Sequence, residues 1–501
     1  MRERFSLVVI VSFRQTRLYN TSYNITRTPP LCFLLPHSHL HISTPHTYMS
    51  VVADSTSPIP GEQSPRHHRL PIVYKQHVKT LGSLLTNMLE QTTADKAWPL
   101  KEFRRMVKKG LTTLSDKDDS NDDNQCDVPT SDVKIDLAHL KGDDLKRTVL
   151  SLIQDLLPGW SDVTLANLHL NRVSGALTNA VFIVTAFPTT STSSERKILL
   201  RIYGVGVDQL FQRDRELYWL RLLSRLNIGA GLRGIFANGR LEQYLDSMTL
   251  TREDIRDPAT SRYIAHRLCE LHSIVATFPP SEEDKTRPEV WTNIDKWYPF
   301  AIESARKMAE KDEEKQRVLE ALDVEGLWAE IEELKRVLKK VESPIVFAHN
   351  DTQYGNILRL RNTARELVVV DFEYAGYNYR GFDIGNHFCE WTADYHSDKP
   401  AELHSDQYPT VEEQSRFLDA YLDALDVIEG KKTNESREQR IEAMRIECNA
   451  WALASHAMWG LWGLVQASQS QIEFDYLRYA VQRIEMFRKG LKAWKERELK
   501  A

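Results

Sequence analysis

The stretch Phe347-Ala-His-Asn-Asp-Thr-Gln-Tyr-Gly-Asn-Ile-Leu358 places an aspartate, Asp351, just past a strand-like apolar run and an asparagine, Asn356, five positions later. Kinase catalytic loops use this spacing. Phosphoryl transfer needs a carboxylate that takes the proton of the attacking hydroxyl and, close by, an amide oxygen that helps to hold magnesium. Twenty residues after Asp351, the apolar run Leu367 to Val370 ends in Asp371, in the order Asp371-Phe372-Glu373. This is where a kinase keeps its second metal ligand, the aspartate of Asp-Phe-Gly. Either motif alone could be a loop acid beside a strand. In this order and at this spacing, the pair points to phosphoryl transfer, with Asp351, Asn356 and Asp371 as the catalytic group.

Upstream, Arg172-Val-Ser-Gly-Ala-Leu-Thr-Asn-Ala180 precedes the β-branched run Ala180 to Val184, as a turn covering phosphates should. Ser174, Gly175, Thr178 and Asn179 are the candidate phosphate contacts. A single glycine falls short of GxGxxG, so taken without the rest of the pattern the segment reads more readily as an ordinary hairpin turn. No GxxxxGK[ST] sequence occurs, which leaves a P-loop NTPase without support. On the next apolar run, Arg201 in Leu-Leu-Arg-Ile-Tyr stands where a kinase lysine reaches the phosphates. Glu216, on the helix that follows, is the expected anchor for it, the plain alternative being an exposed ion pair.

Around these motifs the period of the sequence changes. Residues 135–250 read as a small α+β nucleotide-binding lobe, with strands ending at Phe187 and Tyr203, another around Gly239 to Leu245, and a helix over 213–226. Residues 251–501 read as a larger helical lobe carrying the catalytic loop, with short strands at Pro344–His349 and Glu366–Phe372 and two long helices near 437–466 and 472–497. Before them, 113–134 is an acidic linker, with six aspartates between Ser115 and Asp127. Residues 71–112 suggest a short helical extension. Residues 1–70 read as disordered, or as preceding a true start at Met49, because the apolar run Leu7 to Phe13 is too short to span a bilayer and has no clear cleavage site.

With 501 residues, 42% hydrophobic and 27% charged, and a net charge of −5, the chain reads as a soluble cytoplasmic protein with no pull towards nucleic acid and no stable membrane insertion. Its five cysteines lack metal-ligand or CxxC spacing and suit reduced thiols.

The run Val368 to Trp391, VVVDFEYAGYNYRGFDIGNHFCEW, resembles the signature of the choline/ethanolamine kinase family, and His349 to Leu358 resembles that family's phosphotransferase loop. The similarity spans roughly residues 140 to 495. It implies a bilobal, protein-kinase-like fold of the aminoglycoside phosphotransferase and choline kinase type, with ATP and Mg2+ as cofactors and a place in phosphatidylcholine synthesis. A homodimer is compatible with it. By this resemblance Asp351 is the catalytic base and Asn356 and Asp371 are magnesium ligands. Glu373 and Glu390 support the loop or help to position metal and substrate. Arg201 replaces the kinase lysine, and Glu242-Gln243-Tyr244-Leu245 is the hinge whose backbone meets adenine. The glycine-poor turn at Ser174 to Asn179 departs from the family pattern.

A trimethylammonium head has no N–H to donate and is held by aromatic faces and carboxylate field. By resemblance Gln353, Tyr374, Tyr395, Trp459, Trp462, Phe474 and Tyr479 line the choline pocket, although rings at helical spacing also pack ordinary cores. Ethanolamine is the nearest alternative acceptor. A nucleotide-binding scaffold that has lost catalysis is disfavoured because all three catalytic groups are present. An aminoglycoside phosphotransferase would share the two short motifs without needing the run from Gly376 to Trp391.

Overall fold

The computed structural model describes residues 128–173, 179–187, 194–203, 213–361, 366–430, 434–470 and 472–498. The helical extension expected over 71–112, the segment 1–70 and most of the acidic stretch lie outside these residues. The first lobe runs β1 (Thr130–Ser131), α1 (Gly142–Leu156), β2 (Leu168–Val173), β3 (Asn179–Ala186), β4 (Arg196–Tyr203), α2 (Arg213–Arg225), β5 (Leu232–Phe236) and β6 (Gly239–Gln243). Its six strands form one sheet in the order β1-β5-β6-β4-β3-β2, antiparallel except where β1 meets β5. Alternation sorts the residues of β4. Ile198, Leu200 and Ile202 are buried against one face, where helix α1 covers them with the stripe Val149, Leu152, Ile153 and Leu156. The pleat therefore turns Lys197, Leu199 and Arg201 to the opposite face.

The second lobe begins with β7 (Ser247–Thr249) and the helices α3 (Arg252–Arg256), α4 (Pro258–His272), α5 (Glu282–Thr286), α6 (Glu289–Ala309), α7 (Glu313–Leu322) and α8 (Leu327–Leu338). It continues with β8 (Ile345–Ala348), β9 (Ile357–Leu360), β10 (Leu367–Val369), β11 (Gly376–Tyr379), α9 (Arg380–Glu390), α10 (Val411–Glu429), α11 (Arg437–Gln469) and α12 (Tyr476–Glu498). Two small sheets, β10-β9-β7 and β11-β8, are set among the helices. Both lobes belong to one compact unit.

Two boundaries fall earlier than composition suggests. Thr130 and Ser131 already pair with Ile235 and Phe236, so the last residues of the expected linker 113–134 belong to the first lobe's sheet. β7 pairs with β9, so the second lobe starts at Ser247 rather than at 251. In both places a long-range strand partner decides, and neither partner is visible in local composition.

Helix α11 is the axis of the second lobe. Ser436 and Gln439 cap its start reciprocally, and every residue from Ala450 to Gln466 is buried, as in a helix packed on all sides. Helix α9 crosses it at Gly385, where a Cβ would come within 2.5 Å of the Cys448 carbonyl oxygen and 2.9 Å of the Ala452 nitrogen. Backbone cannot swing aside as a side chain can. Gly385→Ala is therefore expected to cost about 1–3 kcal/mol by overpacking, read as a lowered denaturant midpoint; an unchanged midpoint would show that the two helices separate freely.

Candidate active site

β8 delivers the chain into the loop 349–356, and a buried carboxylate from α9 catches it there. Asp383, wholly buried, accepts the backbone N–H of His349 through Oδ2 at 2.9 Å and that of Asn350 through Oδ1 at 2.7 Å. His272 of α4 bonds the same Oδ2 at 2.9 Å through Nε2, and its Nδ1 meets the Tyr421 hydroxyl at 2.8 Å. Asn350 has φ 68°, in the left-handed region that asparagine tolerates. Its amide fixes the turn by donating to the Tyr374 carbonyl and accepting from Asn378. Asn386 donates to the Asn350 carbonyl, and His387 Nδ1 bonds that of Thr352. Every one of these groups would otherwise be a buried orphan costing about 1–3 kcal/mol.

This frame brings Asp351 and Asn356 together. Asn356 Nδ2 donates to Asp351 Oδ2 at 2.8 Å and to its carbonyl at 2.9 Å, leaving Oδ1 as the amide's remaining polar atom. The Asn356 carbonyl accepts from Val370 N–H, and His349 Nε2 bonds the Val370 carbonyl at 3.0 Å, so the chain reaches Asp371 tied to the same loop. Asp371 also has φ 68°, and its Oδ1 is buried without a hydrogen bond.

Negative charge is concentrated here. Burial, followed by the neighbouring Glu390, Asp371 and Glu373, pushes the Asp351 carboxyl well above its usual range. Burial and then Asp371 and Glu216 push Glu373 up to about 8, against the pull of Arg201 and Arg213. Carboxylates crowd together in this way where a cation is meant to stand between them. Among the described residues no three His, Cys, Asp or Glu side chains form a metal-holding group. Magnesium does not need one, because it binds one or two protein groups and takes its other ligands from phosphate and water. Asp371 Oδ1, buried without a hydrogen bond, and the Oδ1 of Asn356, whose Nδ2 is committed to Asp351, fit that requirement.

Arg201 faces this group from β4. Its NH1 lies 3.5 Å from Asp371 Oδ1 and its Nε 3.3 Å from Glu242 Oε1. The anchor expected for it was Glu216, and here the structure corrects the sequence: Glu216 pairs with Arg240, at 2.6 Å, and with Arg213. The carboxylate that reaches Arg201 lies on the neighbouring strand, a cross-strand relation that helix spacing cannot reveal. Of the expected phosphate turn, Asn179 opens β3 opposite Tyr203 and is buried, while Ser174, Gly175 and Thr178 lie outside the described residues. The segment 244–246 joins β6 of the large sheet to β7 of the second lobe. Within the expected hinge, Gln243 donates its backbone N–H to the Gly231 carbonyl and accepts the Gly231 N–H through its side-chain Oε1. Lys197 lies 5.3 Å from the Tyr244 ring centroid, and the Leu245 carbonyl takes the Ser247 hydroxyl.

The candidate acceptor rings are contiguous. Tyr374 meets Trp459 with centroids 5.0 Å apart, Trp459 meets Trp462 at 5.3 Å, Trp462 meets Tyr479 at 6.2 Å, and Phe474 meets Tyr479 at 6.0 Å and Tyr395 at 6.5 Å. They also belong to the second lobe's hydrophobic core, so packing and recognition draw on the same side chains. Burial pushes the hydroxyls of Tyr374 and Tyr479 up, and Asp351 is among the charges that add to it, so these two hydroxyls lie within electrostatic range of the catalytic carboxylate. Glu390 closes the cluster: its Oε2 accepts the Tyr395 hydroxyl at 2.7 Å, and its Oε1 takes the buried Arg483. Gln353 has a different immediate task, since its Oε1 caps the turn Tyr354–Asn356 by accepting the Gly355 N–H at 2.9 Å. Reading the sequence alone missed Asp383, Arg240 and the carboxylate of Glu242. Asp383 stands inside the quoted signature, but the backbone it holds lies 34 residues earlier.

The sequence family described as choline/ethanolamine kinase matches residues 170–488. A probable choline kinase 2 of Arabidopsis thaliana is 34% identical over 344 residues, covering 68% of this chain and 91% of that protein. A probable ethanolamine kinase of the same plant is 34% identical over 341 residues, covering 68% and 84%. Among solved structures, a choline kinase from Cryptosporidium parvum Iowa II matches with a TM-score of 0.57 at 27% identity, over 70% of this chain and 97% of that one. The two lobes thus form a protein-kinase-like fold, one built on a sheet and the other mostly helical. The chain belongs to the choline/ethanolamine kinase family.

Proposed function

We propose that this kinase, whose family acts on alcohols as acceptors, takes choline as the alcohol and ATP as the donor, so that the product is phosphocholine for phosphatidylcholine synthesis in the cytoplasm. The observation that carries this reading is the contiguous row of rings Tyr374, Trp459, Trp462 and Tyr479, whose two hydroxyls feel the Asp351 charge. A primary ammonium needs hydrogen-bond acceptors, and both oxygens of Glu390 already serve Arg483 and Tyr395. Indole N–H groups can only donate. A head without N–H loses nothing in such a place and gains from the ring faces.

In the mechanism we infer, Asp351 accepts a hydrogen bond from the acceptor hydroxyl and takes its proton as the oxygen attacks the γ-phosphorus, whose bond to the β–γ bridging oxygen breaks in line so that ADP leaves. Asn356 holds the Asp351 carboxylate and, with Asp371, would bind magnesium, with Glu373 beside them. When bound, the metal supplies charge neutralisation on the transferring phosphoryl group. Arg201 adds a second positive charge on the same side, and the hinge 242–245 would meet adenine. Positioning and charge thus supply most of the catalysis.

The test is kcat/KM for choline against ethanolamine, with aminoglycosides as controls. A clear preference for choline is expected, and an ethanolamine preference overturns the choice. Ethanolamine remains the second reading because a probable ethanolamine kinase is as similar to this chain as a probable choline kinase. Trp459→Ala is expected to raise choline KM by about tenfold, the scale of one desolvated cation–π contact, while KM for ATP holds. Equal changes in both would point to a general loss of packing.

A further inference from the structure

On the cleft face of the large sheet, β4 and β6 place Arg201 directly opposite Arg240. Like charges opposed across a strand pair repel, and little water reaches these two: the Arg240 side chain is 1% exposed and that of Arg201 12%. Glu242 stands two residues beyond Arg240 on the same strand and therefore on the same face. Its Oε1 receives Arg240 Nε at 2.5 Å and faces Arg201 Nε at 3.3 Å. Arg201 NH1 is thereby presented towards Asp371. On the far side Arg240 is held by Glu216 of α2, and α2 is itself seated on the second lobe by Trp219 against Phe347 and by Arg215 with Glu289 and Asp284.

We propose that Glu242, held by Arg240, is the positioning residue that aims Arg201 across the cleft, and that the Glu216–Arg240 pair relays the seat of helix α2 to that guanidinium. The inference rests on the reading of Arg201 as the phosphate-facing cation. The charges alternate along the row Asp371, Arg201, Glu242, Arg240, Glu216. Removing the middle carboxylate leaves two guanidinium groups facing each other with nothing between them. Arg201 then yields to repulsion from Arg240 and attraction from Asp371, and it closes over the carboxylate that should remain available to the metal. The state of Glu242 agrees with this role: burial works to raise its carboxyl, and Arg201 and Arg240 outweigh burial and hold it down to about 2.

The test is a double-mutant cycle on the full chain with Glu242→Gln, Arg201→Met and both together, reading kcat, KM for Mg-ATP, KM for choline and Tm. Glu242→Gln is expected to lower kcat/KM for Mg-ATP by about tenfold, as for loss of a group that orients a ligand, with choline KM unchanged. In the Arg201→Met background the same substitution should cost nothing more, because there is no guanidinium left to aim. An equal loss in both backgrounds, or a loss shared by the two substrates, overturns the proposal while leaving the role of Arg201 standing. Wild-type activity from Arg201→Met overturns the reading of Arg201 and the inference with it. Should Glu242→Gln fail to fold, Glu242→Asp keeps the charge but withdraws it by one methylene, and the cycle is run on that variant with the same expected outcomes.

Discussion

Asp351→Asn is expected to remove nearly all turnover while leaving the protein folded, with kcat reduced by about 10²–10⁴ as for loss of a positioned base. Asparagine matches aspartate in shape and retains an oxygen for the Asn356 Nδ2, so the loop keeps its closure and the deficit falls on proton acceptance. The more diagnostic expectation concerns stability. In the native protein the Asp351 carboxyl is pushed well above its usual range, by burial first and then by Glu390, Asp371 and Glu373. A carboxyl whose folded pKa is raised binds its proton more tightly in the native state than in the unfolded chain. Its ionisation therefore destabilises the fold increasingly as pH rises from the unfolded value, about 3.9, through the folded one. The Asn variant carries no such charge. In metal-free protein with chelator present, its Tm should exceed that of the wild type near pH 8 and converge with it near pH 4. A variant that is inactive and also less stable at pH 8 would mean that Asp351 holds the loop together, and the role of base would lose its support.

The elements that were legible in the sequence are those whose signals are local. The helix over Arg213–Arg225, the strands β3, β4, β8 and β10 and the two long closing helices each show their own period, and the second long helix merely starts later, at Tyr476. The pairing of Asp351 with Asn356 was legible for the same reason, since five residues and one turn separate them. What escaped depends on strand register or on distant packing. Glu242 reaches Arg201 only because β4 and β6 are neighbours in a particular register, whereas Glu216, one helix on from Arg201, was the natural choice along the chain. Gln353 was placed in the acceptor pocket by resemblance, and what the sequence did not show is that its side-chain carbonyl also caps the next turn. Strand β2, paired along its length with β3, carries the string Leu-His-Leu-Asn-Arg-Val, too polar to stand out as a strand.

Asp383→Asn is expected to damage both stability and turnover, because a single side chain here closes the catalytic loop. The wild-type carboxylate accepts three hydrogen bonds, from the N–H groups of His349 and Asn350 and from His272. Asparagine offers one oxygen and turns an NH2 group towards at least one N–H donor, at a position wholly shielded from solvent. Breaking a buried, charged arrangement of this kind costs about 3–5 kcal/mol, which denaturant unfolding at neutral pH would show. The dependence on pH separates this from an ordinary packing defect. Burial alone would raise the Asp383 carboxyl, but the His272 bond and the charge and N–H of His349 outweigh burial and hold it below its usual range. A depressed folded pKa gives stability that is fully present above the unfolded value, about 3.9, and is lost as pH falls through the folded one. The gap between wild type and Asp383→Asn should therefore be widest at neutral pH and should narrow below about pH 4. Turnover should fall with it, and kcat should suffer more than either KM, because the groups displaced are the backbone of His349 and Asn350 that precedes the base. A variant that loses stability equally at pH 3 and pH 7, or that keeps wild-type kcat, would show that the loop holds its shape without this carboxylate.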